Sequence, residues 1–169
     1  MIETSRLCLC RPNSQDISAL ETLWRDEKVR EFLGGIVSDD IIHQKMVELQ
    51  SHWDLHQFGQ WAVFEKSSKK LIGLCGLHYS DDGIEISYMF IPEFWGKGFA
   101  SEAVLASADY GFSTLKIKSI IAITQVANIK SCKILTKIGM QPINNFERFN
   151  ATQCSFELTS TKWKDHYIS

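Results

Sequence analysis

The chain has 169 residues, 44% of them hydrophobic, and its 18 Lys and Arg against 20 Asp and Glu leave a net charge of -2. That length and apolar content suffice for one domain with a core of its own, and the near-neutral charge supplies no basic field to gather nucleic-acid phosphates. Cysteines at 8, 10, 75, 132 and 154, an odd number without a CxxC pair, fit neither a disulfide framework nor a structural zinc site and favour a reducing compartment. No segment approaches the ~20 apolar residues of a membrane span, and the first twelve residues carry Glu3, Arg6 and Arg11 instead of an apolar signal-peptide centre. The expectation is a single cytoplasmic domain over residues 1–169, monomeric or homodimeric, with no membrane, nucleic-acid or metal partner.

Short apolar runs alternate with helical patterns, which predicts a mixed α/β (α+β) fold. Residues 6–11 read as a strand, and Asp16 precedes a helix with Ile17, Leu20, Leu23 and Trp24 on one face. A second helix runs from Ser38 or Asp39, whose side chains can cap it, through Ile42, Met46 and Leu49 to Trp53. Gln60 to Glu65 is strand-like. Lys70 to Tyr79 and Ile84 to Ile91 form a hairpin around Asp81-Asp82-Gly83. In the second arm a period of two puts Ile84, Ile86, Tyr88 and Phe90 on one face and Glu85, Ser87 and Met89 on the other, leaving a polar face for chemistry.

Pro92 ends that strand, and Phe94-Trp95-Gly96-Lys97-Gly98-Phe99-Ala100 leads into a helix from about Ala100 to Phe112 with small core-facing residues, Ala100, Ala103, Val104, Ser107 and Ala108. Lys118 to Gln125 reads as a strand buried on both faces. Asn128 is placed to cap a helix whose apolar side is Cys132, Leu135 and Ile138 and which stops at Gly139. Residues 141–160 return as two strands that turn at Asn144-Asn145 or at Asn150.

A glycine-containing loop that opens a helix presents unpaired N–H groups at the positive end of the helix dipole and can hold phosphate. Spacing alone leaves two readings, a phosphate cradle and a plain tight turn. Lys97 between the glycines excludes the GxxxxGK[ST] pattern, and GxG without a third glycine is poor evidence for a dinucleotide fold.

Glu85-Ile86-Ser87-Tyr88-Met89-Phe90-Ile91-Pro92-Glu93-Phe94-Trp95-Gly96-Lys97-Gly98-Phe99-Ala100-Ser101-Glu102-Ala103 resembles the acetyl-CoA-binding motif of the GNAT N-acetyltransferase superfamily, in particular its ribosomal-protein N-terminal acetyltransferase branch. Thr4-Ser5-Arg6-Leu7, Trp61-Ala62-Val63 and Asn128 to Met140 are similar to other family segments in order and spacing. The resemblance implies a mostly antiparallel sheet flanked by helices and splayed at an acetyl-CoA site, and acetyl transfer to a primary amine. The acceptor is expected to be a protein or peptide N-terminus, with a small amine (amino sugar, polyamine or antibiotic) or a non-catalytic acetyl-CoA sensor as alternatives.

By the same resemblance, the backbone of Met89 and Phe90 would pair with the pantetheine arm, and one of their N–H groups would serve the oxyanion. Trp95, Gly96, Lys97, Gly98, Phe99, Ala100 and Ser101 would cradle the pyrophosphate. Trp95 stands where the family often has Gln or Arg. Glu85 is the candidate base, acting through water or only orienting the substrate. Many family members carry a tyrosine where this chain has Leu135, so Ser131 is the candidate donor to the thiol and Asn128 an orienting group, a coenzyme contact or simply a cap. His52 and His56 lack a third metal ligand and belong on a surface or rim. Trp24, Trp53 and Trp61 are either acceptor-pocket walls or core. Lys130, Lys133 and Lys137 form a basic stripe, and Cys132 reads as a packed thiol.

Overall fold

The structure, a computed structural model, describes residues 1–167. Strands Ile2–Glu3 (β1), Leu7–Cys10 (β2), Gln60–Glu65 (β3), Leu71–Ser80 (β4), Gly83–Phe90 (β5), Ser119–Gln125 (β6), Gln141–Arg148 (β7) and Ala151–Thr159 (β8) build one sheet in the order β1-β2-β3-β4-β5-β6-β8-β7. The helices are Ile17–Arg25 (α1), Glu27–Arg30 (α2), Asp39–His56 (α3), Phe99–Asp109 (α4), Ile129–Lys137 (α5) and Ser160–Tyr167 (α6). None of the described helices is long and apolar enough to cross a membrane.

Every pairing is antiparallel except β5 with β6. A parallel neighbour requires a crossover, which α4 supplies. α4 lies tight on the sheet because its inner face is small: Ala103, Val104, Ser107 and Ala108 are buried, and Ser107 Oγ lies 3.5 Å from Cys75 Sγ on β4. At the helix end the chain takes one π turn, Tyr110–Thr114, where Gly111 passes Leu77 and Ile120 so closely that a Cβ would meet their methyls at 2.9 and 3.0 Å. The expected continuous helix to Phe112 therefore ends at Asp109.

Other elements differ from expectation in ways the contacts explain. Ser38 caps α3 with extended backbone but makes no side-chain bond, and Asp39 is drawn away to Arg25 at 2.9 Å. On β6 Ile120, Ala122 and Thr124 are buried while Ile121 and Ile123 are half-buried, so one face is only partly covered. The face of β5 expected to be polar and open is closed in part, since Met89 is buried with Ile86 and Phe90. The β7–β8 turn is Phe149-Asn150, both with positive φ between paired Arg148 and Ala151, and not Asn144-Asn145. Trp61 and Trp53 are core, with ring centroids 5.7 Å apart and Trp53 Nε1 donating to the Gln60 carbonyl at 2.8 Å.

Candidate active site

The site grows from the one parallel pairing. β5 and β6 are in register only at Glu85 opposite Ile121, and beyond that point both strands continue unpaired with each other. β5 keeps β4 on its far side along its whole length, and β6 keeps β8. The result is a wedge with its closed end at Glu85 and its mouth at Phe90. Backbone direction alternates along a strand. Ile91 N–H donates to the Ile72 carbonyl at 2.9 Å, so Met89, opposite Leu74, turns its amide toward β4, whereas those of Tyr88 and Phe90 point into the wedge. Of the two residues expected to offer an oxyanion donor, Phe90 has its N–H on the open edge and Met89 has its own turned to β4. The Phe90 carbonyl accepts from Trp95 Nε1 at 2.7 Å, so Trp95 has a structural use at the mouth.

At that mouth Gly96 and Gly98 take φ of +74 and +83, a backbone that a Cβ disfavours. Gly98 is the N-cap of α4. Among the described residues, no backbone carbonyl accepts from the N–H groups of Gly96 to Ser101, and the first such bond is Glu102 N–H to Gly98. These are the donors a diphosphate needs, converging on a helix N-terminus. Lys97 places its ammonium 5.2 Å from the Phe94 ring and Lys130 places its own 5.1 Å from the Trp95 ring, so two cations flank the loop. Lys133 and Lys137 are exposed on α5.

A clasp invisible to local sequence reading holds the loop. Glu102 Oε1 accepts from Thr4 Oγ1 (2.6 Å), Ser5 Oγ (3.1 Å) and Arg6 N–H (2.9 Å), and Oε2 pairs with Arg6 Nη2 at 2.6 Å. Arg6 Nη1 donates to the Lys97 carbonyl at 2.8 Å, and its guanidinium lies over the Phe99 ring at 4.6 Å. Burial raises the Glu102 pKa, but the bonds from Thr4, Arg6 and Ser5 outweigh it and the net shift is down. A depressed carboxylate stabilises the fold above its unfolded pKa and loses that contribution as pH falls through the folded value. Glu102→Ala is expected to cost about 1–3 kcal/mol, because three donors lose a shared charged acceptor while the half-exposed ion pair itself is worth little. In urea melts the gap between wild type and variant should narrow as the pH drops below 4.5, and a pH-independent gap would contradict the clasp.

Along the wedge, Glu85 is half-buried, and burial raises its pKa against the opposing pull of a Ser80 hydrogen bond and Arg148. Its Cα lies about 17 Å along the strand from that of Phe90, so Glu85 is near the closed end and reaches an amine at the mouth only through intermediates. Candidates share its face: Ser87 Oγ accepts from Gln60 Nε2 and sits 3.5 Å from His78 Nδ1, and His78 is the cross-strand partner of Glu85. Burial pushes the His78 pKa down to about 4, keeping it neutral. Sequence reasoning missed Gln60 and His78, because only the register brings them beside Ser87 and Glu85.

On the other wall α5 begins at Asn128, whose Oδ1 accepts the Ser131 N–H at 3.1 Å. Asn128 is thus a true cap. Ser131 Oγ lies 2.7 Å from the Tyr88 hydroxyl, a contact that ties β5 to α5 across the wedge and that the sequence reading, which assigned Tyr88 to the apolar face, did not foresee. Leu135 is buried in the core. Cys132 is half-buried with its thiol pKa raised by burial. His52 is used in packing: its Nδ1 is 2.9 Å from the Phe58 carbonyl and its Nε2 accepts from Tyr79 N–H at 3.2 Å.

A family model described as an acetyltransferase (GNAT) domain matches residues 6–141. The chain belongs to the GNAT acetyltransferase family. It is 32% identical over 147 residues to the uncharacterized N-acetyltransferase YoaA of Bacillus subtilis (strain 168), covering 83% of this chain and 82% of that one. It is 29% identical over 102 residues to spermidine N(1)-acetyltransferase of Escherichia coli (strain K12), covering 57% and 55%. Among solved structures, a GNAT-family acetyltransferase from Bacillus anthracis superposes with a TM-score of 0.81 at 24% identity over 95% of this chain and 98% of that one. Spermidine N-acetyltransferase from Vibrio cholerae, in complex with CoA and spermine, superposes at 0.79 with 19% identity over 95% and 99%. The chain is accordingly an N-acetyltransferase with acetyl-CoA as the acyl donor. The free N–H groups of the loop suit its diphosphate, and the open edge of β5 suits its amide-bearing arm.

Proposed function

We propose that this GNAT enzyme acetylates a small primary amine, a polyamine in first place. The observation that carries the reading is the likeness to spermidine N(1)-acetyltransferases. A local feature supports it: the exposed Asp81 and Asp82 stand with Glu85 at the start of β5, and these three carboxylates outnumber the one cation that acts on Glu85, Arg148, which would attract a polycation. A protein or peptide N-terminus is the second reading, supported by the resemblance of Glu85 to Ala103 to the ribosomal-protein branch.

In this reading the chain's residues divide the work. Residues 95–101 hold the diphosphate, the edge of β5 aligns the pantetheine arm, and Phe90 N–H stabilises the oxyanion. Glu85 takes the amine proton by way of water and the Ser87–His78 row, and Ser131 donates a hydrogen bond to the departing sulfur, with Asn128 fixing its helix.

Free-thiol release from acetyl-CoA against spermidine, spermine, an amino sugar and a peptide panel tests it. Turnover on the polyamines is expected; turnover on peptides alone would replace the first reading with the second, and binding without turnover would favour a sensor. A base with a raised pKa is active only above that pKa, so the acid limb of kcat/KM should lie above 4.5, and Glu85→Gln should flatten it while lowering the rate about 100-fold.

A further inference from the structure

We infer that Tyr88 is a positioning residue for acetyl transfer, donating its phenolic hydrogen to Ser131 Oγ so that the Ser131 hydrogen is free to point at the leaving sulfur. The inference rests on the role proposed above for Ser131.

Three observations carry it. First, the 2.7 Å contact between Tyr88 and Ser131 crosses the wedge at its β5 edge, two residues from Phe90, whose amide faces the wedge. The pair therefore stands beside the place where the sulfur must lie if Phe90 serves the oxyanion. Second, the direction of the hydrogen bond follows from chemistry. A phenol is a stronger donor than an aliphatic hydroxyl, and among the described residues Ser131 is the hydrogen-bond partner of the Tyr88 hydroxyl. Tyr88 donates, and Ser131 keeps its own hydrogen for another acceptor. Burial pushes the Tyr88 pKa further up, so the phenol stays protonated throughout the working range. Third, Leu135, further along the same helix, is buried and offers no hydroxyl. In this chain the phenol approaches from β5 and acts through a serine one helical turn earlier.

The device needs no proton on Tyr88 to leave. As the C–S bond breaks, negative charge grows on sulfur and the Ser131 O–H bond points to it. The Tyr88 hydrogen, aligned on Ser131 Oγ, strengthens that donor by polarising it. Two protons leave the nitrogen: Glu85 takes the first, from the incoming ammonium, and the second, from the ammonium formed when the neutral amine attacks, finally makes the thiol, which balances the reaction without a new acid.

Tyr88→Phe keeps the ring and removes only the hydroxyl, so thermal unfolding and acetyl-CoA affinity should stay near wild type. With the best amine of the panel, kcat should fall about tenfold with KM for acetyl-CoA unchanged. Ser131→Ala should fall about 100-fold. The decisive comparison is the double variant. If Tyr88 acts through Ser131, adding Tyr88→Phe to Ser131→Ala should change nothing further. A tenfold loss in both backgrounds, or none in either, overturns the inference while leaving Ser131 in place. Full activity of Ser131→Ala would instead remove the Ser131 role on which it rests.

Discussion

Gly98→Glu is expected to weaken acetyl-CoA binding at least ~100-fold in calorimetric titration. Two separable effects combine. Gly98 holds φ +83 at the start of α4, and a non-glycine residue there costs about 1–2 kcal/mol. A Cβ would also approach Arg6 Nη2 at 3.3 Å, pressing on the guanidinium that clasps Glu102 and the Lys97 carbonyl. The larger effect is charge: a carboxylate at the mouth of residues 95–101 occupies the positive end of the helix dipole, where the diphosphate should dock, and repels it. Gly98→Ala carries the strain without the charge and should lose only about tenfold. Raising the salt concentration should restore part of the affinity of Gly98→Glu and none of that of Gly98→Ala, because only the first penalty is screened. Wild-type affinity in Gly98→Glu would remove this loop from coenzyme binding.

The loop was legible because its signals are local. Pro92 ends a strand, two glycines sit where only positive φ serves, and small residues follow at helical spacing, so a strand, a turn and a close-packed helix can be read in one pass from Glu85 to Ala108. The Asn128 cap was legible for the same reason, since its partner is three residues away. What local pattern cannot carry is the meeting of distant residues. Thr4, Ser5 and Arg6 converge on Glu102 across nearly a hundred positions, and in the sequence their motif is a resemblance without a visible purpose. Tyr88 was assigned by the period of two to an apolar face, correctly as to face, yet its hydroxyl finds Ser131 because β5 and β6 diverge there. The same limit hid His78, whose register opposite Glu85 no spacing rule states. The short elements β1 and α2 are below the length at which a period can be seen, and α6 is polar except for its buried Trp163.

Gly76→Ala is expected to be the most damaging single methyl in the sheet, costing about 3 kcal/mol or more. Gly76 faces Gln60 across β3 and Ser87 across β5. A Cβ built there would stand 2.4 Å from the Gly59 carbonyl oxygen, 2.6 Å from the Gln60 Cα and 2.6 Å from Cε3 of the buried Trp61. Two of those neighbours are backbone and the third is locked between Trp53 and Tyr110, so no flexible side chain can yield and β3 must move away from β4. That shift would also misplace Gln60 against Ser87, so the variant should lose activity under conditions where it is still folded. Gly35→Ala is the control: it has φ +81 but open space around it, and should cost only the 1–2 kcal/mol or so of a left-handed backbone. Urea midpoints separate the two. Equal, mild losses would mean that β3 and β4 can part at Gly76 without cost, and that the register which holds β5 at the edge of the wedge is looser than the packing around Trp61 implies.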